Sequence, residues 1–222
     1  MIRSYLKSAF RSLARNKQAT TINILGLAVG MSACLLMAGY VFHELSFESV
    51  HVRRDRIFRI NGFVRSGGGG FYNAMVVSPL GPAAKDAVPE VEESVRMAVK
   101  LEPALTIDKG TFQEKKLYFT EPQAFDVFTL PLLRGRPEDV LDAPFSLVLD
   151  EVLARKYFGT DDAVGRTVRV RFDRSYEFQV TGVMKAIPTN TVLHTRLLAS
   201  FSTLEKLTGD QLARSLNDWR AF

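Results

Sequence analysis

The sequence is poor in the residues that most catalytic and metal sites need. It has one cysteine, Cys34, so no disulfide can form within the chain. Its three histidines, His43, His51 and His194, are too scattered for a metal site or a catalytic triad, and we expect each at the surface or at an interface. The phosphate-binding pattern G-x-x-x-x-G-K-[ST] is absent, and the four glycines at residues 67–70 indicate a flexible loop tip. We therefore predict no catalytic, cofactor-binding or metal-binding residues, and no enzyme activity.

Acidic residues are absent from the first 43 positions. Five basic residues lie there instead: Arg3, Lys7, Arg11, Arg15 and Lys17. The rest of the chain is charge-balanced, so the net charge of +5 belongs to this N-terminal part. Residues 22–42 form an uncharged apolar run that would be about 31 Å long as a helix, close to the ~30 Å hydrocarbon core of a bilayer. Because basic flanks stay on the cytoplasmic side, this pattern predicts a transmembrane helix with a cytoplasmic N-terminus.

These features divide the chain into three parts. Residues 1–21 are predicted to be a cytoplasmic or interfacial basic amphipathic helix, since apolar residues recur at helical spacing from Ile2 to Leu13 opposite the cations, which would meet membrane lipid. Residues 22–42 are the predicted transmembrane helix, and residues 43–222 the predicted domain outside the cytoplasm. Gly26 and Gly30 form a small-xxx-small pair that would let another helix approach closely, although membrane helices also simply tolerate glycine.

Two processing signals are alternatives to a membrane span. A cleaved secretory signal has an apolar core of roughly 7–15 residues, shorter than this run. Residues 31–34 are similar to a lipid-attachment sequence, with Cys34 as the acceptor. Lipidation there would leave eight more apolar residues at the start of the mature chain, so a small apolar role for Cys34 within the helix is the preferred interpretation.

Strand and helix patterns alternate irregularly in residues 43–222, which predicts an α+β fold with a mixed α/β core domain. The predicted strands are residues 56–64, 95–107, 115–120, 146–149, 167–172, 176–184 and 195–201. The predicted helices are residues 79–87 with Ser78 as cap, a turn at 123–128, 150–158 with Asp150 as cap and Gly159 as stop, and one starting at 203. Turn residues are expected at 108–110 and 173–175.

Charged residues in this domain are given structural roles. Asp150, Glu151, Asp161 and Asp162 lack the spacing of a calcium-binding loop, and we interpret them as a helix cap and a solvated loop. The arginines near residues 53–59 and 166–174 are balanced by acids elsewhere in the domain. We predict no nucleic-acid binding.

Several motifs resemble the bacterial ABC-transporter permeases of the MacB and FtsX type. LKSAFRSLARN from Leu6 and INILGLAVGMSACLL from residue 22 are similar to that family's entry helix and first span. Residues 43–60, HELSFESVHVRRDRIFRI, are similar to its exit into the periplasm. The later core-domain pattern is matched by FDVFTLPLLRGRPEDVL from Phe125, LVLDEVLARKYFG from Leu147, VGRTVRV from Val164 and FQVTGVMKAIPTNTVLH from Phe178.

This resemblance implies a permease subunit in the bacterial inner membrane, with residues 43–222 as a periplasmic core domain of two lobes. A cytoplasmic ABC ATPase subunit would hydrolyse ATP and move the membrane helices, and the periplasmic domain would follow, a scheme called mechanotransmission. The implied partners are that ATPase, a second permease copy or homologous half, and a possible periplasmic protein. The motifs do not select a transported substrate.

The family uses several more spans, which usually follow the core domain, whereas this sequence has one. We therefore expect a chain truncated before further transmembrane helices. The alternative is a single-span, membrane-anchored periplasmic binding or scaffolding protein without an ATPase partner. An enzyme outside the cytoplasm ranks last, because no nucleophile, base or metal group emerges.

Overall fold

The computed structural model of the chain describes residues 5, 11, 13–73, 76–107, 110–172 and 174–208, with only the backbone described at residues 66 and 208. It divides into two compact units, residues 1–47 and residues 48–222. The amphipathic helix predicted before the span lies largely outside the described residues, as do three of the predicted turn residues, Asp108, Lys109 and Asp173.

The first unit contains one long helix, α1, Lys17–Leu45. None of its residues is buried, and apolar side chains lie on all sides of the helix. Such a helix is stable only where something other than the protein's own core, such as a lipid bilayer, covers it. Its one central hydroxyl is satisfied inside the helix, because Ser32 Oγ donates to the carbonyl of Ala28 at 2.7 Å. The helix is long and apolar enough to cross a membrane, and it contains the whole predicted span at residues 22–42.

The second unit has eleven strands among the described residues. They are β1 Gly62–Ser66, β2 Gly69–Asn73, β3 Met97–Leu101, β4 Ala104–Ile107, β5 Gly110–Gln113, β6 Lys116–Thr120, β7 Leu132–Arg134, β8 Ser146–Asp150, β9 Thr167–Arg171, β10 Ser175–Met184 and β11 Leu197–Ser200. Its α-helices are α2 Leu80–Ala87, α3 Ala124–Val127, α4 Glu151–Phe158 and α5 Phe201–Thr208, and a short 3₁₀ turn lies at Arg54–Arg56.

Nine of these strands form one mixed sheet in the order β3-β6-β11-β8-β10-β9-β4-β5, with β7 paired beside β10. Strands β3 and β4 run on from each other and pair with β6 and β5, so together they form one long hairpin. This hairpin bends at residues 102–103 and 114–115. Two hydrogen bonds of 3.1 Å continue the strand pairing through the bend: the N–H of Glu102 donates to the carbonyl of Lys115, and the N–H of Glu114 donates to the carbonyl of Pro103. Since this hairpin supplies both ends of the strand order, the sheet must curl towards closure.

Two apolar clusters lie on opposite faces of the curled sheet. In β8, Leu147 and Leu149 belong to the larger cluster and Val148 to the smaller one, as the alternation of side chains along a strand requires. The larger cluster includes Leu153 and Tyr157 from α4, whereas the smaller one includes Ala124 from α3. Residues 48–222 fall in one compact unit, and the two lobes within it stay a prediction.

Several local predictions are confirmed. Residues 146–149 form a buried strand, and Asp150 caps α4 by accepting a 2.6 Å hydrogen bond from the backbone N–H of Leu153. Gly159 ends that helix in the left-handed region at φ 72°. The hairpin predicted around residues 173–175 is formed by β9 and β10.

Other local predictions are wrong. The strand expected at residues 56–64 begins only at Gly62, and the strand expected at residues 95–107 is interrupted at Glu102, whose φ is 50°, and Pro103, which has no N–H. Ser78 does not cap α2, whose N-cap position is Pro79, and its hydroxyl accepts from Arg96 Nη1 at 3.4 Å instead. By contrast, the glycine run does lie at a tip as predicted, because it forms the hairpin turn between β1 and β2, with positive φ at residues 67 and 68.

Candidate functional site

Residues 48–52 begin the second compact unit, which we call the outer unit, and they form a polar network shortly after α1 ends. Glu48, His51 and Val52 contact two loops that lie far away along the chain. One loop contains Thr129 and follows α3, and the other contains Thr191 and leads to β11. We call residues 48–52 with these two loops the junction.

Glu48 binds the second loop through its backbone and through both carboxylate oxygens. Its N–H donates to the carbonyl of Asn190 at 2.9 Å, and its φ of 58° lies in the left-handed region. Oε1 accepts from the N–H of Val192 at 2.6 Å, and Oε2 accepts from the hydroxyl of Thr191 at 2.7 Å. Charge-assisted hydrogen bonds of this kind are stronger than neutral ones. The backbone and side chain of Glu48 together thus bind three consecutive residues, 190–192.

His51 fills the space between the two loops. Its side chain is buried, and Nδ1 accepts from the backbone N–H of Thr129 at 3.2 Å. Because Nδ1 accepts, the neutral ring carries its proton on Nε2, which lies 3.3 Å from Thr191 Oγ1 and 3.4 Å from Glu48 Oε2. The ring packs against Phe128, with 5.5 Å between centroids. The expectation of a surface position for His51 is therefore wrong.

The environment of His51 favours this neutral form. Burial lowers the pKa of His51 below its usual value, and the charge of Glu48 opposes that change without reversing it. A second proton would sit on Nδ1 and face the N–H of Thr129, which would break the hydrogen bond. The junction is therefore complete when His51 is uncharged.

Both junction loops continue into the centre of the sheet. Beyond Thr129, the carbonyl of Pro131 accepts from the N–H of Lys185 at 2.8 Å, directly after β10. Beyond Thr191, the carbonyl of Arg196 accepts from the N–H of Asp150 at 2.9 Å, at the end of β8. The first residues of the outer unit are thus connected by short hydrogen-bonded steps to its buried strands.

A second polar cluster lies where α4 crosses the curled sheet. Asp150 accepts from Arg196 Nε at 2.7 Å, and Glu114 accepts from the hydroxyl of Tyr157 at 2.6 Å and from Lys156 Nζ at 2.5 Å. Burial and the neighbouring Glu114 raise the pKa of Tyr157 above its usual value, the opposite of what a base or nucleophile requires. These contacts hold α4 to the bend between β5 and β6.

The remaining candidate residues do not converge on a site. Cys34 and His43 are exposed on α1, and His194 is exposed on the outer unit, so the surface position expected for these two histidines is confirmed. Asp161 lies 3.7 Å from Arg155 as part of a surface ion pair. Within the described ranges, no three His, Cys, Asp or Glu side chains are grouped so that they could hold a metal ion.

Comparison with known proteins places this architecture in a family. Residues 20–218 match the MacB-like periplasmic core domain, a stretch that contains most of α1, the whole junction and the curled sheet. The chain belongs to the MacB-like periplasmic core domain family. This family is part of the ABC-type transporter permeases, as the sequence motifs predicted.

The chain is also similar to individual proteins. The chain is 27% identical over 186 residues to the macrolide export ATP-binding/permease protein MacB of Wolinella succinogenes, and this match covers 81% of the chain and 28% of that protein. A crystal structure described as a domain of a permease protein from Porphyromonas gingivalis has a TM-score of 0.58 at 24% identity, covering 72% of this chain and 65% of that one. The periplasmic region of MacB from Actinobacillus actinomycetemcomitans gives 0.46 at 26% identity, over 61% and 59%.

The family confirms the predicted fold class, an α+β domain that follows one N-terminal apolar helix. The helix and the core domain together make this a membrane-anchored protein. Sequence reasoning did not identify the junction, because Glu48 and His51 acquire their roles only from loops more than 70 residues away. The sequence signal that could have indicated the junction is an acid and a histidine three residues apart, Glu48 and His51, soon after the apolar run.

Proposed function

We propose that this chain is the part of an ABC permease subunit that carries motion from a membrane helix into an extracytoplasmic domain. The observation that supports this most directly is the junction, where Glu48 and His51 fix the first residues of the outer unit to two loops of its sheet. A segment held by this many hydrogen bonds moves together with the sheet.

In this proposal the motion comes from a cytoplasmic ABC ATPase. The relative of Wolinella succinogenes is an ATP-binding/permease protein, and this chain matches 28% of it. The basic N-terminal segment supports a cytoplasmic N-terminus in the bacterial inner membrane, with the core domain in the periplasm. The working complex contains a second permease copy or homologous half.

The junction suits this task because its bonds differ in direction and partner. Glu48 binds residues 190–192, whereas His51 and Val52 bind the backbone N–H and the hydroxyl of Thr129. A displacement of residues 48–52 therefore pulls on two loops at once, and these lead to different strands. Such a set of packed contacts can carry a conformational change over a distance.

The chain itself catalyses no reaction in this proposal. The two groups that most resemble catalytic residues are committed elsewhere, since His51 accepts a backbone hydrogen bond and the pKa of Tyr157 is raised. Export, or regulation of a periplasmic protein, would follow from movement of the domain.

Affinity purification of the full-length protein from its native membranes tests the proposal. We expect an ABC ATPase to be recovered by mass spectrometry, and we expect Glu48→Ala to leave that association intact while reducing the ability of the complex to couple ATP hydrolysis to movement of the outer domain. A pair of spectroscopic labels on the outer domains of the two permease copies would report that movement. His194→Ala, at an exposed residue of the same region, is the matched control.

Two results would count against this function. Failure to recover any ATPase after cross-linking would favour the single-span anchored scaffold. Unchanged ATP-driven label movement in Glu48→Ala would show that motion reaches the outer domain by another route.

A further inference from the structure

The hairpin formed by β1 and β2 is set apart from the core of the outer unit. It forms its own two-stranded sheet, and its side chains belong to neither apolar cluster. A two-stranded hairpin is at best marginally stable in water without a further surface to pack on. Its large side chains are nevertheless exposed: Phe58 just before it is 84% exposed, and Tyr72 within it is 80% exposed.

The register of the hairpin gives one of its faces a mixed aromatic and basic character. Phe63 pairs with Tyr72, and their rings are 5.1 Å apart. Arg65 pairs with Gly70 two positions further along, on the same face. Phe71 lies on the opposite face, beside Val64, and is also more than half exposed.

Arginines dominate the sequence that leads into the hairpin. Residues 53–65 contain five arginines, all exposed, and a single acid, Asp55. Arg56 contacts Glu92, which lies outside this segment, and Arg54 Nε lies 3.8 Å from Asp55 Oδ1. Residues 53–65 thus carry an excess of four positive charges within thirteen residues, next to exposed aromatic side chains, and this charge favours an anionic partner.

We propose that the hairpin and the arginine-rich segment before it, together residues 53–73, bind an anionic lipid surface. Tyrosine and phenylalanine side chains enter the interfacial region of a bilayer, and guanidinium groups bind lipid phosphates through two hydrogen bonds at once. Pairing with a second copy of the same hairpin is disfavoured, because it would bring two arginine-rich segments together. Strand β1 begins 17 residues after α1 ends, so the hairpin lies close in sequence to the predicted membrane helix. This inference does not depend on coupling to an ATPase.

Fluorescence quenching in reconstituted vesicles tests the proposal on the full chain. The chain's single tryptophan is replaced (Trp219→Phe), and a new one is placed in the hairpin (Tyr72→Trp). Vesicles are made with brominated phosphatidylcholine, alone or with about one third phosphatidylglycerol, the anionic component. Leu101→Trp in the same background is the control, because Leu101 is a 60% exposed apolar residue at the edge of the nine-stranded sheet.

We expect the tryptophan at position 72 to be quenched at least about twofold more strongly in the vesicles that contain phosphatidylglycerol. The control at position 101 should show no such dependence. Arg59→Gln combined with Arg65→Gln should remove most of the difference, and the two lysine substitutions should retain it, since lysine keeps the charge. These variants lie at exposed positions, so loss of folding would not explain the result.

Three outcomes would overturn the inference. Quenching at position 72 no stronger than at position 101 would show that the hairpin does not reach lipid. Equal quenching with and without phosphatidylglycerol would show that the arginines do not select an anionic surface. A blue-shifted but unquenched emission at position 72 would show that protein, from this chain or a second copy, covers the hairpin.

Discussion

Phe178 in β10 and Phe71 in β2 occupy similar strand patterns and have opposite environments. Phe178 is fully buried and contacts the rings of Phe145 and Phe172, whereas Phe71 is 57% exposed. The difference lies in the neighbours of each strand, because β10 pairs with three strands and β2 with one. Alternating apolar residues therefore produce a core only where the topology supplies a second layer.

The same truncation made in both regions should show the largest contrast. Phe178→Ala is expected to lower the free energy of unfolding by about 3–5 kcal/mol, because it leaves a cavity in a closely packed cluster. Phe71→Ala should change it by less than about 0.5 kcal/mol, as is usual for an exposed side chain. Urea denaturation of the full chain in detergent measures both. Equal losses would mean that the hairpin is packed as firmly as the sheet.

Removing the junction carboxylate should have an intermediate effect. Glu48→Ala leaves the N–H of Val192 and the hydroxyl of Thr191 without their acceptor, which should cost roughly 2 kcal/mol. Glu92→Ala is the matched control beside the hairpin, where an exposed pair with Arg56 contributes at most about 1 kcal/mol. Urea denaturation of both variants under the same conditions measures the two changes in the free energy of unfolding. Equal costs for the two variants would contradict the role given to the junction.

Acid should weaken the junction before it affects the hairpin. Because the pKa of His51 is lowered in the folded chain, the unfolded chain binds more protons once the pH falls below about 6.5, and stability decreases from there downward. The slope contributed by one proton is at most about 1.4 kcal/mol per pH unit. Denaturation midpoints measured from pH 7.5 to 5 should show this slope, flattened in His51→Gln but not in His194→Gln. A slope unchanged by His51→Gln would place the titrating group elsewhere.

The smallest effect is expected at the tip of the hairpin. Gly67 has a φ of 53°, a conformation that asparagine adopts more readily than other side chains, and no atom lies within 4 Å of an added Cβ. Gly67→Asn should therefore be neutral or raise the stability of the hairpin by less than about 1 kcal/mol, whereas Gly67→Val should weaken it. Hydrogen exchange of the amides in β1 and β2 reports this local change. Faster exchange in the asparagine variant would contradict the assigned turn.

The sequence predicted those elements whose cause is local. The apolar run of α1, the Asp150 cap and the Gly159 stop are each encoded within a few residues, and all three are confirmed. The family resemblance, built on several such segments in order, is confirmed as well. Local causes are readable because helix ends and turns require specific residue types.

The wrong predictions concern residues whose structure depends on contacts with distant parts of the chain. His51 looked like a surface residue because nothing near it in sequence reveals that Thr129 and Thr191 would enclose it. The predicted strand at residues 56–64 has the right composition, but its first half finds no partner strand among the described residues. The break at residue 103 follows from the bend that lets one hairpin reach both ends of the sheet.

That bend has a consequence for how the outer domain comes apart. Strands β6 and β4 bond to β11 and β9 respectively, at the two ends of the strand order, and the hairpin links them covalently. Peeling either end away strains the other, so neither can fray on its own. Amides of β4 and β6 should exchange with solvent at nearly the same slow rate, as members of a single cooperative unit. We expect a domain with this property to resist partial unfolding when force is applied to it, and to move as one rigid body.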